Sequence, residues 1–248
     1  MNASLEARFA SAGLDWIVPD WPAPPSVRAF STTRNGSGAG PFDLSRRAPD
    51  RAAMDVELRR WLPEDPIWLT QVHGNAVCDV DSAHSESALR ADAVVAHNAG
   101  RVCAVLTADC VPVLLSDRAG SVVAAAHAGW RGLATGVLEA TLAAMRVESG
   151  EVLAWLGPAI GPRAFEVGAD VLEAHCASDP DAATCFTPFR PGKWLADLYA
   201  LARRRLAREG VTSIHGGGHC TFTERDRFYS YRRDHGASSM ASFVWREA

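Results

Sequence analysis

The feature that most constrains this chain is a crowd of short apolar runs near its middle. Ala93–Ala96, Val102–Thr107, Val111–Ser116 and Ser121–Ala126 follow one another closely, and several are apolar throughout. A strand with one wet face alternates polar and apolar residues, so a run without alternation predicts a strand covered on both faces. Further β-like runs are Val27–Thr33, Ile67–Val72, Ala76–Val80, Glu151–Leu156, Val211–Ile214, Phe228–Tyr231 and Ser242–Trp245. Helices are predicted over residues 4–12 and from Asp50 as cap to about Leu62, with Met54, Leu58 and Leu62 on one face. Others are predicted over Leu133–Met145, Val171–Cys176 and Leu195–Arg208, the last ending at Gly210. The chain has 248 residues, 48% of them hydrophobic, enough to bury a core without disulfide staples. The pattern predicts a mixed α/β fold: a single domain over 27–248, preceded by a helix and a stiff extended segment (PDWPAPP, Pro19–Pro25) within 1–26.

Charge and cysteine usage narrow the function classes. A net charge of −4 and a pI near 6.1 argue against nucleic acid or an anionic membrane surface as the main partner. No apolar run approaches the roughly 18 residues of a membrane span. The start, MNASLEARFASAG, lacks the apolar stretch of a signal peptide. The 6 cysteines contain no C-x-x-C pair, which excludes thioredoxin-type redox sites and zinc ribbons. A cytoplasmic protein with reduced thiols is expected. Of its 25 basic residues only Lys193 is lysine, so arginine must hold any anion.

Three segments place reactive side chains at the ends of apolar runs, beside glycine or proline: Thr70–Gly74 (TQVHG), Thr107–Pro112 (TADCVP) and Ala126–Gly132 (AHAGWRG). Their donors, His73, Cys110 and His127, form an N₂S set that suits zinc or copper rather than magnesium or calcium. Three protein ligands with one open position is the pattern of a catalytic zinc site. Each residue alone also reads as ordinary structure: a histidine satisfied by backbone, a small buried thiol, a helix cap.

These three phrases resemble the signature of the laccase-domain family, also called the multicopper polyphenol oxidase, YfiH-like or purine nucleoside phosphorylase family. Thr32–Gly36 (TTRNG), Gly157–Pro162 (GPAIGP), Phe165–Gly168 (FEVG), Cys220-Thr221 and Phe228–Asp234 (FYSYRRD) continue the likeness in the family's order over nearly the whole chain. The resemblance implies a layered α/β fold of mixed sheets related to cysteine hydrolases. It implies His73, Cys110 and His127 as zinc ligands and catalytic residues, and phosphorolysis of adenosine, inosine and methylthioadenosine with adenosine deamination beside it. Two stretches depart from the family pattern. Asp43-Leu44-Ser45-Arg46 stands where Ser-Leu-Asn-Leu is usual, and Ala237-Ser238-Ser239 where Thr-Gly-Arg is usual.

Phosphorolysis needs an anion site, for which arginine forks are suited. Arg34, Arg131, Arg232 and Arg233 are the candidates, Arg131 lying just before the helix expected over 133–145. Gln71 is placed to point an amide at the substrate. Asp109 reads either as a partner orienting a ligand imidazole or as a turn-stabilising residue. Trp130 reads as a base-stacking platform or as packing, and His219-Cys220 as a second reactive pair. His84-Ser85-Glu86 matches half of the zinc-deaminase signature without its cysteine pair and reads as a solvated loop. Competing functions are a metal-free Cys110–His127 hydrolase, including one that removes L-Ser misincorporated into the peptidoglycan precursor UDP-MurNAc, and a copper-dependent polyphenol oxidase. Multicopper centres use many histidines, often as H-x-H; this chain has 8 histidines and no H-x-H. The expected partners are a small nucleoside and phosphate, in a monomer or small homo-oligomer.

Overall fold

Alternation along the strands sorts their side chains onto two faces and thereby builds the layers. In the computed structural model, which describes residues 4–38, 40–82 and 89–247, three sheets form. The largest has six strands in the order β11 (Ser213–Gly216), β7 (Val152–Leu156), β5 (Val111–Asp117), β6 (Val123–Ala128), β3 (Ala93–Ala96), β2 (Val77–Asp79). It is mixed: β11 runs parallel to β7 and β2 to β3, and the central pairs are antiparallel. A second, antiparallel sheet joins β1 (Val27–Ser31), β12 (Met240–Arg246) and β4 (Cys103–Thr107). A third, small sheet joins β8 (Glu166–Val167), β10 (Lys193–Ala196) and β9 (Phe186–Arg190).

The first two sheets stack face to face. Val105 of β4 and Val244 of β12 pack with Leu114, Val123 and Ala125 of the large sheet. On the far side of the large sheet, Val113, Ala124 and Ala126 pack against helices α3 (Trp130–Thr135), α4 (Val137–Met145) and α6 (Leu198–Arg208), through Leu133, Leu138, Leu142 and Leu206. On the outer face of the three-stranded sheet, Phe30, Phe243 and Trp245 meet α1 (Leu5–Ser11) and α2 (Arg51–Leu58) through Phe9 and Leu58. The result is helix, sheet, sheet, helix, and the largely apolar β5 and β6 are buried along their whole length. This is the mixed α/β single domain expected. Residues before Val27 belong to the same core, with Leu14 and Trp16 buried and Ile17 bridged to Ser31.

Several elements differ from expectation for local reasons. The single helix over 133–145 is two, broken at Gly136, whose φ of +93° is left-handed and suits glycine. Arg131 therefore lies within α3 rather than ahead of a helix. The helix over 195–208 starts at Leu198, because Leu195 and Ala196 are claimed by β10 and Asp197 caps Ala200 N. Phe228–Tyr231 is no strand; Ser230 caps the short helix α7 (Tyr231–Asp234) by accepting from Arg233 N. Ile67–Val72 keeps only the bridge Ile67–Cys103. Asp50 makes no side-chain cap, and α2 ends at Leu58. Helix α5 (Ala169–Cys176) begins two residues before the predicted Val171. The 6 cysteines are all free, and no described helix is long and apolar enough to cross a membrane. His84-Ser85-Glu86 lies outside the described residues.

Phe30 is the pivot of the outer aromatic cluster, fully buried and in ring contact with Phe9, Trp16, Phe243 and Trp245. Phe30→Ala is expected to destabilise the fold by about 3–5 kcal/mol, read from the urea midpoint at unchanged m-value.

Candidate metal centre and its cavity

Cys110 stands where the chain crosses from one stacked sheet to the other. Strand β4 ends at Thr107 in the three-stranded sheet, and β5 begins at Val111 in the six-stranded one. The connection turns sharply at Asp109, whose φ is +88°. Register then pairs Pro112 with His127, near the end of neighbouring β6. His73 arrives on the loop Thr70–Gly74, itself at a left-handed φ of +61°. The three donor atoms lie within 4.8 Å of one another. The thiol is half-buried, His127 is buried and His73 is exposed. Gly129 makes room for the cluster: a Cβ there would sit 2.8 Å from Cys110 Sγ and 3.2 Å from His73 Cδ2.

A residue outside the three motifs holds the arrangement. Asp92, fully buried at the head of β3, accepts from Val72 N, His73 N (2.8 Å) and Gly74 N (2.7 Å). Its carboxylate also meets His127 Nδ1 at 2.8 Å, and its carbonyl accepts His127 N at 2.7 Å. Burial alone would raise this carboxyl; the bonds from His127, Gly74 and Val72 keep it below the usual range. With Nδ1 committed to Asp92, His127 presents Nε2 to the cluster, the carboxylate–histidine arrangement that orients metal ligands. Asp92 carried a signal in the sequence: a lone acid opening the apolar run Ala93–Ala96.

Electrostatics prepare the thiol. Burial pushes Cys110 up, but the facing His127 and hydrogen bonds from both histidines bring it down to about 6. Burial pushes His127 down, and the Cys110 thiolate and Asp92 lift it to about 9. The metal-free pair is thus a thiolate beside an imidazolium. The fit to a soft or borderline cation is good: one thiolate, two imidazoles, a carboxylate behind one of them, and an exposed side facing a cavity.

That cavity has a volume of about 700 Å³, within the ~300–1,000 Å³ of small-molecule sites. His73, Cys110 and His127 line it together with Gln71, Trp130, Arg131, Phe165, Arg232, the rim 236–239 and Arg46. Arg131 stacks 4.3 Å from the centre of the Trp130 ring. Arg232 lies over Phe165 and donates to Glu166 O.

The remaining sequence candidates fall elsewhere. Arg34 does not line this cavity; it sits beyond the rim, over the Tyr229 ring, bonded to Arg225 O. Arg233 is tied into Thr221 O, Phe222 O, Phe228 O and Asp234, and pins α7 rather than facing the cavity. Gln71 lines the cavity, but its amide exchanges two bonds of 2.8 Å with Leu106 N and O, so it braces the His73 loop against β4. Asp109 does not reach an imidazole; it accepts from Thr221 Oγ1 and Arg232 N, a turn-stabilising role. His219 and Cys220 are engaged with Glu224, and Cys220 Sγ accepts from Gly161 N, away from the cluster.

Residues 28–247 match the family model described as multi-copper polyphenol oxidoreductase laccase. The chain belongs to this family. Among the laccase-domain proteins, it is 51% identical to a purine nucleoside phosphorylase of Pseudomonas aeruginosa, over 93% of this chain and 98% of that one. It is 49% identical to the purine nucleoside phosphorylase YfiH of Escherichia coli, over 92% and 98%. A crystal structure of a Neisseria meningitidis protein superposes with a TM-score of 0.85 at 48% identity, covering 94% of this chain and all of that one. The structure of YlmD from Geobacillus stearothermophilus follows at 0.84 and 26% identity, over 94% and 96%.

Two outcomes are expected. Asp92→Asn removes the charge behind His127 and should weaken zinc binding about 10–100-fold, measured by competition with a chromophoric chelator. In metal-free protein, alkylation of Cys110 by iodoacetamide should stay fast down to about pH 6 and fall below it, whereas an ordinary thiol of pKa 9.0 slows from pH 9 downward.

Proposed function

We propose that this laccase-domain protein is a zinc-dependent purine nucleoside phosphorylase, acting on adenosine, inosine and methylthioadenosine, with adenosine deamination as a side activity. The observation that carries the reading is that the His73–Cys110–His127 cluster faces the same cavity as arginines without a carboxylate partner. Among the described residues, neither Arg131 nor Arg232 makes an ion pair, although arginines elsewhere do, as at Arg204–Asp179 and Arg205–Glu139. An arginine kept free of acids in a concave site is ready for an anionic ligand. Relatives that share about half of its residues are named purine nucleoside phosphorylases.

His73, Cys110 and His127 would hold the ion, which when bound supplies a Lewis acid for a substrate oxygen or an activated water. Arg131 and Arg232 grip phosphate so that one oxygen bonds to the ribose C1′ while the C1′–N9 bond breaks and its electron pair goes to the purine. Trp130 and Phe165 give the purine and ribose apolar walls, each backed by an arginine. Asp109 supports the floor by bonding both Thr221 and the first turn of α7, which carries Arg232. The copper-oxidase reading suggested by the family model's description is less favoured: one three-ligand cluster is present among the described residues, whereas multicopper chemistry needs several.

The test is a nucleoside panel with and without phosphate, on zinc-loaded and chelated protein. Phosphate-dependent base release that chelation abolishes supports the reading; release independent of both phosphate and zinc overturns it. Ammonia release from adenosine without phosphate reports the side activity. Arg131→Ala should raise the KM for phosphate about tenfold, the scale of one charge-assisted hydrogen bond, with a smaller effect on the KM for nucleoside.

A further inference from the structure

The loop 43–46 and the stretch 237–239 meet in space. Asp43 accepts from Ser239 N at 2.9 Å and from Ser45 N at 2.8 Å, and Leu44 N donates to Ser239 O at 3.0 Å. The loop 43–46 and the cavity rim 236–239 are therefore one joined ledge. The rim carries no basic side chain: Gly236, Ala237, Ser238 and Ser239 are small and neutral. The next residue along the ledge after Ser45 is Arg46, and it lines the cavity.

Arg46 is held at one corner only. Its Nη2 donates to Leu69 O and to Thr70 Oγ1, both at 3.0 Å, at the start of the loop that carries His73. Its Nε and Nη1 make no hydrogen bond among the described residues, and it forms no ion pair there. The acid nearest in sequence, Asp43, accepts two backbone N–H groups at Oδ1 and makes no ion pair with Arg46 among the described residues. Three arginines, Arg46, Arg131 and Arg232, thus reach the cavity from three separate elements, and the one acidic lining residue, Asp109, is already bonded. A guanidinium anchored through one nitrogen and open at the others is positioned to bind an anionic oxygen.

We propose that Arg46 is a third anion-binding residue of this cavity, gripping a phosphoryl oxygen of the ligand from the ledge side. The inference rests on the phosphorolysis reading for its substrate class, and the phosphoryl group is either free phosphate or a phosphate ester on the nucleoside.

The test is calorimetric binding, which needs no turnover, of inorganic phosphate and of adenosine 5′-monophosphate to the zinc-loaded protein and to Arg46→Gln. Glutamine removes the charge while keeping an amide to hold Leu69 O and Thr70. Bound zinc and the unfolding midpoint, measured in parallel, are expected to be unchanged, which shows that the His73 loop is still in place. Binding of inorganic phosphate about tenfold weaker in the variant supports the inference with phosphate itself as the ligand. Weaker binding of the monophosphate alone, with adenosine unaffected, supports it with the ester as the ligand. Unchanged affinity for both, or a loss matched by equal loss for adenosine, overturns it. If the wild-type protein binds phosphate through Arg46 yet releases no base, the phosphorylase reading fails and the anion site stands. If base is released and Arg46→Gln binds both anions normally, the anion site fails alone.

Discussion

One buried carboxylate organises the functional end of this molecule. Asp92 accepts hydrogen bonds from three consecutive backbone N–H groups, Val72, His73 and Gly74, and faces His127 Nδ1. A buried charge is tolerated only where such bonds replace water. The same bonds fix a loop that has no ladder of its own and hold His73 at positive φ. They also turn the His127 ring so that its other nitrogen meets Cys110. The three candidate ligands thus stand on a platform set by a residue outside their motifs.

The platform exists because two sheets are stacked. Cys110 follows the crossing from β4 to β5, His127 nears the end of β6, and Asp92 opens β3. Only β5, β6 and β3 share a sheet; the loop with His73 is clamped to β4 of the other through Gln71 and Leu106. The cluster therefore sits at the open end of the seam between the sheets, where one side of the ligand set remains accessible. Arginines then ring the opening, each on a different support: Arg46 on the ledge, Arg131 on α3 and Arg232 on α7. Distributing cations over separate elements avoids crowding them on one, and leaves their charge for a ligand to neutralise.

Legibility followed the range of the forces involved. The apolar runs over 93–126 were readable as strands because burial on both faces leaves a direct mark on composition. The break at Gly136 and the Asp197 cap that starts α6 at Leu198 are local signals, masked in the sequence by a longer apolar period around each. The small sheet of β8, β9 and β10 left little pattern, since β9 is mostly exposed and carries a proline. Arg34 and Arg233 looked equivalent to Arg131 and Arg232 in sequence. They differ in the acceptors that surround them: Arg34 is held by Arg225 O from a distant segment, and Arg233 by the carbonyls of Thr221, Phe222 and Phe228 and by Asp234, which only the folding of that stretch back on itself brings close.

By itself the sequence determined the class of fold, the family, and the three residues with the donor chemistry for a metal, because apolar runs and motif phrases are local properties. Tertiary structure decided which side chains are free. Asp92 became the support of the site, Gln71 and Arg233 became braces, and Arg46 was left open to the cavity. The physical reason is that hydrogen bonds saturate. A polar side chain's function depends on whether the fold has already claimed its donors and acceptors, and those partners can lie far off in the chain, 196 residues away for Asp43 and Ser239.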